Sequence, residues 1–238
     1  MEPLISLKNI SKTFDGHSVA LKNIDLEILK GQFVCIIGTS GSGKSTLLNL
    51  ISGIDQPSEG TLKKPDRVAM VFQSGALLPW FTAIQNVMIV LEAQANGLSK
   101  KAAYLEALRY LELMGLKNFA GKYPRELSGG QRQRVGIARA LSVKTEVLLL
   151  DEPFSALDTQ TTIELHEDLI KIWRETGKTI VMVSHSIEEA VTLANRIVMI
   201  ENHTIGHTFP IDIPRPRHEQ SLQFMTEVNK IRAVFLKK

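Results

Sequence analysis

A single cysteine, Cys35, occurs in the chain, inside an apolar run, which excludes a disulfide framework and a cysteine-built metal centre. Long hydrophobic runs are missing as well. None approaches the roughly 18 residues of a membrane-spanning helix. The opening Met1-Glu2-Pro3-Leu4 lacks the basic and apolar pattern of a secretory leader. The expectation is a cytoplasmic chain that meets a membrane only through a partner. Nor is there an excess of charge. Lys and Arg number 28 against 25 Asp and Glu, a net +3, and the basic runs are only pairs: Lys63-Lys64, Lys100-Lys101 and Lys237-Lys238. That balance argues against a nucleic-acid partner. What remains is an ordinary globular composition, 238 residues with 44% hydrophobic content, enough for one large domain or a core with a subdomain.

Against that background one stretch stands out: Gly38-Thr39-Ser40-Gly41-Ser42-Gly43-Lys44-Ser45-Thr46. It fits G-x-x-x-x-G-K-[ST], and the context is right. Phe33 to Ile37 is a short β-branched run of the kind covered on both faces, and Thr46 to Ile51 has helical spacing with Gly53 as its stop. The glycines let backbone N–H groups close on phosphate oxygens, and the new helix points its positive end at the same anion. Lys44 is expected on the β- and γ-phosphates of a nucleotide, and the Ser45 hydroxyl on Mg²⁺. A flexible Gly/Ser turn is the plainer alternative.

Around this loop, strands and helices alternate, which implies an α/β fold with a mostly parallel sheet. Leu4 to Ile10 and Val19 to Ile28 read as strands with a turn at Asp15-Gly16. Phe14, just before it, is either a stacking platform for a base or a half-buried strand end. Ile54 to Gly60 is a polar turn cluster, and Arg67 to Phe72 a strand ending at Gln73. Thr82 to Asn96 and Lys100 to Met114 have helical spacing, with Gly97 and Gly115 as stops and no buried strand nearby, the pattern of a helical insertion. Ala76 to Phe81 is very apolar for a loop, either a core anchor or a docking surface for another protein. Leu127-Ser128-Gly129-Gly130-Gln131 precedes an amphipathic helix read over Val135 to Leu141; it is a second helix start of the anion-binding type or a plain cap. Val147 to Leu150 is an apolar strand ending in Asp151-Glu152. Beside a phosphate loop the first acid would hold Mg²⁺ and the second would polarise an attacking water. Asp158 caps a helix running to Glu175, and Thr179 to Val183 is a strand leading to His185. In the tail, Pro214-Arg215-Pro216-Arg217 precedes a helix whose expected buried face is Leu222, Met225, Val228, Ile231 and Phe235.

With these residues together, the chain resembles the ATP-binding subunit of ABC transporters over nearly its full length. Gly38 to Thr46 looks like Walker A, Gln73 like the Q-loop glutamine, and Leu127 to Gln131 is identical to the LSGGQ signature. Val147 to Asp151 looks like Walker B, Glu152 stands at the catalytic glutamate position, Ser155-Ala156-Leu157-Asp158 resembles the D-loop, and His185 the switch histidine. Phe14 falls where the family places an adenine-stacking aromatic. Leu77 to Thr82, Asp151 to Phe154, Trp173 to Lys178 and the Pro214 to Arg217 tail look most like the nitrate/sulfonate/taurine importer group. Ser186, where an aspartate is frequent, and the short segment between Gly60 and Arg67 depart from the pattern.

The resemblance implies a P-loop NTPase (RecA-like) core, 1–73 and 136–205, an antiparallel N-terminal β subdomain, an inserted helical subdomain over 74–135, and a tail over 206–238. It implies ATP and Mg²⁺, with Ser45, Gln73 and Asp151 as metal ligands and Glu152, His185 and Gln73 around the reacting water. It implies a head-to-tail homodimer in which Ser128, Gly129, Gly130 and Gln131 of one copy meet the γ-phosphate held by the other. A membrane permease would dock near Leu78, Pro79 and Trp80, served in turn by a solute-binding protein, with the subunit on the inner membrane face. An exporter or lipid-trafficking ATPase is the alternative within the family. A nucleic-acid relative would bring coiled coils, zinc-binding cysteines or tandem cassettes, which the sequence lacks.

Overall fold

The computed structural model describes residues 2–94 and 98–236. The expected helix end at Asn96 with its stop at Gly97, and the pair Lys237-Lys238, lie outside them. In chain order the elements are β1 (Ile5–Phe14), β2 (Ser18–Ile28), β3 (Phe33–Gly38), α1 (Lys44–Ser52), β4 (Glu59–Lys63), β5 (Ala69–Val71), α2 (Ala83–Gln94), α3 (Lys100–Leu113), α4 (Gly129–Leu141), β6 (Val147–Asp151), α5 (Thr159–Thr176), β7 (Thr179–Val183), α6 (Ile187–Leu193), β8 (Arg196–Glu201), β9 (Thr204–Pro210) and α7 (Leu222–Phe235). They fall into two compact units, Met1–Arg67 with Trp173–Lys238, and Val68–Ile172.

In the first unit, β2, β1 and β4 form an antiparallel sheet in that order. Strands β7, β3, β8 and β9 are neighbours in a second sheet, with β3 parallel to β7 and β8 and with β9 antiparallel at the edge. Every residue of β3 is buried, as its unbroken apolar run requires. Leu47, Leu48, Leu50 and Ile51 of α1 are buried too, and each such side chain contributes about 1.5–3 kcal/mol of transfer free energy. Helix α1 stops at Gly53, whose left-handed backbone turns the chain and donates to Asn49 and Leu50 carbonyls. Cys35 is fully enclosed in β3; burial, helped by the negative charge of Glu189, pushes its thiol well up, so it is an inert core residue.

In the second unit β5 and β6 pair in parallel, with Val71 opposite Leu150. Among the described residues no strand lies between Val71 and Val147; α2, α3 and α4 fill that interval.

Four features depart from the expected elements. Strands β4 and β9 did not stand out in the sequence, because both are largely exposed and polar. Strand β1 continues past Ile10 to Phe14 through several register shifts against β2. Helix α4 starts at Gly129, six positions before Val135, so both signature glycines lie in its first turn. In α7 the buried residues are Phe224, Val228 and Ile231, while Leu222 and Met225 are exposed.

Candidate functional site

The phosphate loop joins the buried end of β3 to the first turn of α1. Gly43 caps α1 with φ +103° and makes no side-chain cap bond. A Cβ there would run into the carbonyl of Ala20, so the position admits only glycine. His203, in the β8–β9 turn, holds that carbonyl: its Nδ1 lies 3.1 Å from Ala20 O, and Lys22 N–H donates to His203 O at 2.8 Å. Lys44 is buried, its ammonium donating to Gly38 O at 3.0 Å and Thr39 O at 2.8 Å. Ser42 Oγ is buried and without a hydrogen-bond partner among the described residues. An uncapped helix start, a buried ammonium and an orphaned hydroxyl together fit a bound phosphate chain.

Two more of the expected residues lie in the same unit. Strands β3 and β7 run in parallel with Ile36 opposite Val183, and Ser184 N–H donates to Ile36 O at 3.1 Å. His185 therefore leaves its strand at the edge where the phosphate loop begins, and it is exposed. Phe14 ends β1 and is 39% exposed, with Lys12 Nζ 4.8 Å from the ring centroid.

The second unit gathers the carboxylates. Because β5 and β6 are in register, Gln73 and the pair Asp151-Glu152 emerge at one edge. Gln73 Nε2 donates to Ser155 Oγ at 2.9 Å and reaches Glu152 Oε2 at 3.4 Å, while Ser155 Oγ donates to Glu152 O at 3.1 Å. Glu152 adopts φ +43°, a strained conformation for a side chain of its size. Phe154, two residues on, is buried edge-on against His166 with ring centroids 4.5 Å apart. Burial lowers the His166 pKa from 6.5 to about 4, so this imidazole is neutral. Ser155, expected only as part of the D-loop resemblance, joins this cluster through its hydroxyl.

The signature turn is self-contained. Ser128 Oγ accepts from Gln131 N–H at 3.2 Å, and Gln131 Oε1 accepts from Ser128 N–H at 2.9 Å, a reciprocal capping box. A Cβ on Gly130 would strike the Thr161 methyl, which lets α4 and α5 approach closely. Asp158 caps α5 by accepting from the Thr161 N–H at 2.9 Å and its hydroxyl at 2.7 Å, bonds that hold its carboxyl below the usual range. Arg139 of α4 donates to Gly75 O and Ala76 O at 2.9 Å each, tying this helix to the loop after Gln73.

The apolar loop divides by residue. Trp80 is 67% exposed, and Pro79 is exposed beside it. Leu77, Leu78 and Phe81 are half-buried. Asn86, fully buried in α2, staples them: it accepts from Leu78 N–H at 2.8 Å and donates to the carbonyls of Leu78, Phe81 and Thr82. A polar residue on an apolar helix face was the available signal for it.

The family model described as ABC transporter matches residues 21–155. A relative named an aliphatic sulfonates import ATP-binding protein (SsuB 1), from Shouchella clausii, is 44% identical across 95% of this chain and 89% of that protein. The chain belongs to the ABC transporter family. Other relatives of this cassette include a nitrate import ATP-binding protein (NrtD) of Synechococcus elongatus, 44% identical over 90% of this chain and 83% of that one. A bicarbonate transport ATP-binding protein (CmpD) of the same species is 42% identical over 93% and 84%. Among solved structures, the ATP-binding cassette MJ0796, a dimer in a post-hydrolysis state with ADP and Pi, superposes with a TM-score of 0.80 at 36% identity, covering 88% of this chain and all of that one. The ABC cassette is thus an ATP-binding ATPase with the P-loop NTPase fold expected from its motifs, a mostly parallel sheet with antiparallel strands and helices.

No cluster of three or more His, Cys, Asp or Glu suited to a metal occurs among the described residues. The donors expected for Mg²⁺ are the oxygens of Ser45, Gln73 and Asp151. Each is an oxygen donor of the kind that suits Mg²⁺, which takes its other ligands from phosphates and water. No helix among the described residues is long and apolar enough to cross a membrane.

Proposed function

We propose that this chain hydrolyses ATP to drive uptake of a small anion, of the nitrate, sulfonate or bicarbonate kind, through a membrane permease. The importer names of its relatives support that direction over an exporter. Phe14 stacks on the adenine, and the N–H groups of residues 38–46 with Lys44 hold the phosphates. Mg²⁺, when bound through Ser45, Gln73 and Asp151, neutralises charge on the phosphate oxygens. Glu152 orients the attacking water and accepts its proton, Gln73 aims that carboxylate, and His185 contacts the γ-phosphate. Most of the acceleration comes from positioning and fixed dipoles. The observation that carries this reading is the Gln73 amide against the Glu152 carboxylate, on a residue held at positive φ.

Two copies pair head to tail. Ser128 uses a lone pair on the Gln131 N–H and keeps its hydroxyl proton for a γ-phosphate held by the other copy, with Gly129 and Gly130 N–H groups beside it. Loss of that phosphate removes the bridge and opens the dimer. Residues 74–135 act as the permease-facing helical subdomain, with Leu78, Pro79 and Trp80 as its docking loop; 1–73 and 136–205 form the nucleotide core and 206–238 the tail. The permease, fed by a solute-binding protein, keeps the subunit on the inner membrane face.

Glu152→Gln tests the assignment. ATP affinity should stay within about twofold while turnover falls by about 100-fold or more, the scale of losing a general base. Turnover at the parental rate would refute it. Uptake assays with labelled nitrate, taurine and bicarbonate, in cells with and without this subunit, identify the cargo; loss of a cationic or lipid substrate instead would sink the anion assignment.

A further inference from the structure

The dipeptide repeat Pro214-Arg215-Pro216-Arg217 and helix α7 grip one short element from both ends. That element is α6, seven residues beginning just after His185. A helix of this length is not self-supporting, and its last carbonyls need partners. Arg217 supplies them: Nη1 donates to Val191 O at 2.5 Å and Ala194 O at 2.6 Å. Its Nε donates to Ile213 O at 2.9 Å and its Nη2 to Ile211 O at 3.1 Å, which folds the tail around the same guanidinium. Arg215 donates to Leu193 O, its guanidinium 4.7 Å from the centroid of Trp173. Two cations thus close the negative end of α6.

The other end is held by α7. Arg232 pairs with Glu188, and Glu188 Oε2 accepts from the Ser186 hydroxyl at 3.1 Å. Ser186 caps α6 through the Glu189 N–H at 3.1 Å, and its own N–H donates to Ser184 Oγ at 2.9 Å. Ser184 Oγ in turn donates to Glu189 Oε2 at 2.5 Å. His185 sits between the two serines. A continuous chain of contacts therefore leads from Arg232 through Glu188 to Ser186 and Ser184, the two residues that flank His185.

We infer that the tail, through Arg217, Arg215 and Arg232, positions the switch histidine for ATP hydrolysis. The inference rests on the role proposed for His185. These arginines touch no reacting atom; they fix the helix that sets the angle of the His185 loop. Displacing a contact on the γ-phosphate by about 1 Å costs up to about 100-fold in rate, so a clamp this indirect governs turnover while leaving nucleotide affinity alone.

The test uses the full-length chain. Arg232→Ala breaks a partly exposed pair and leaves the buried face of α7 in place, so the fold survives. Arg232→Ala and Glu188→Gln should each lower kcat by about three- to tenfold with KM for ATP unchanged, the double variant should be no worse than either, and Arg232→Lys should restore most of the rate. Arg217→Lys should behave alike with a larger loss. In a His185→Ala background, Arg232→Ala should have no further effect. Single variants at the parental kcat, a rise in KM instead, or full additivity with His185→Ala would overturn the clamp while leaving the role of His185 standing. His185→Ala at the parental rate would overturn both.

Discussion

Two helices of this protein begin where a phosphate is expected, and they begin in opposite ways. Helix α1 has Gly43 at its N-cap, which makes no side-chain cap bond. Helix α4 has Ser128 and Gln131, each satisfying the other's backbone. Serines also cap α3, α6 and α7, at Ser99, Ser186 and Ser221. The first start has a glycine with no side chain to cap it, and Lys44 folds back on loop carbonyls. The second is complete alone and exposes one hydroxyl. A binding end costs stability until its anion arrives, whereas a contributing end can wait, already ordered, for a second copy that carries the nucleotide.

That contrast can be broken at either end. The largest effect is expected from Gly43→Ser, which offers α1 the cap that α4 uses. A left-handed φ and the Ala20 carbonyl forbid it. Nucleotide affinity by calorimetry should fall by at least about 100-fold, on the order of 3 kcal/mol, and parental affinity would show that the open end is not needed.

Next in size is a pH effect in the unit that holds α4. His166 is buried neutral, with a folded pKa of about 4 against 6.5 for the free side chain. The unfolded chain binds the proton first, so stability falls as pH drops from 6.5 toward about 4 and is unaffected above that window. The loss is on the order of 3 kcal/mol. His166→Leu should flatten the urea-unfolding profile across that range; an unchanged slope would show that another group titrates.

The smallest effect belongs to Ser128. Ser128→Ala removes the Oγ bond to Gln131 and should lower stability by about 1 kcal/mol in urea unfolding. Ser128→Asp should keep the cap and its stability, yet put a negative charge against the partner's phosphate. ATP-dependent dimerisation by light scattering should be lost in Ser128→Asp. Dimers as stable as the parent would separate the cap from the contact.

Much of this was legible beforehand. The β3–loop–α1 unit carries its own signals: a buried β-branched run, spaced glycines and a glycine stop. The carboxylates Asp151 and Glu152 were visible as charges ending an apolar strand. Strand β4 was not, since Glu59-Gly60-Thr61-Leu62-Lys63 has one apolar side chain and is largely exposed. The buried face of α7 was misassigned because apolar residues occur on two faces. Contact with α6 selects Phe224, Val228 and Ile231.

The order of residues alone determined which chemical groups exist and where each leaves its strand or helix, because local turns, caps and apolar runs depend on near neighbours. The tertiary structure decided which of them meet. Gln73 reaches Ser155 and Glu152, Arg217 reaches the carbonyls of Val191 and Ala194, and His203 reaches Ala20, all across long stretches of chain. Such contacts are set by strand register and helix packing, which sum many weak interactions that no local pattern encodes.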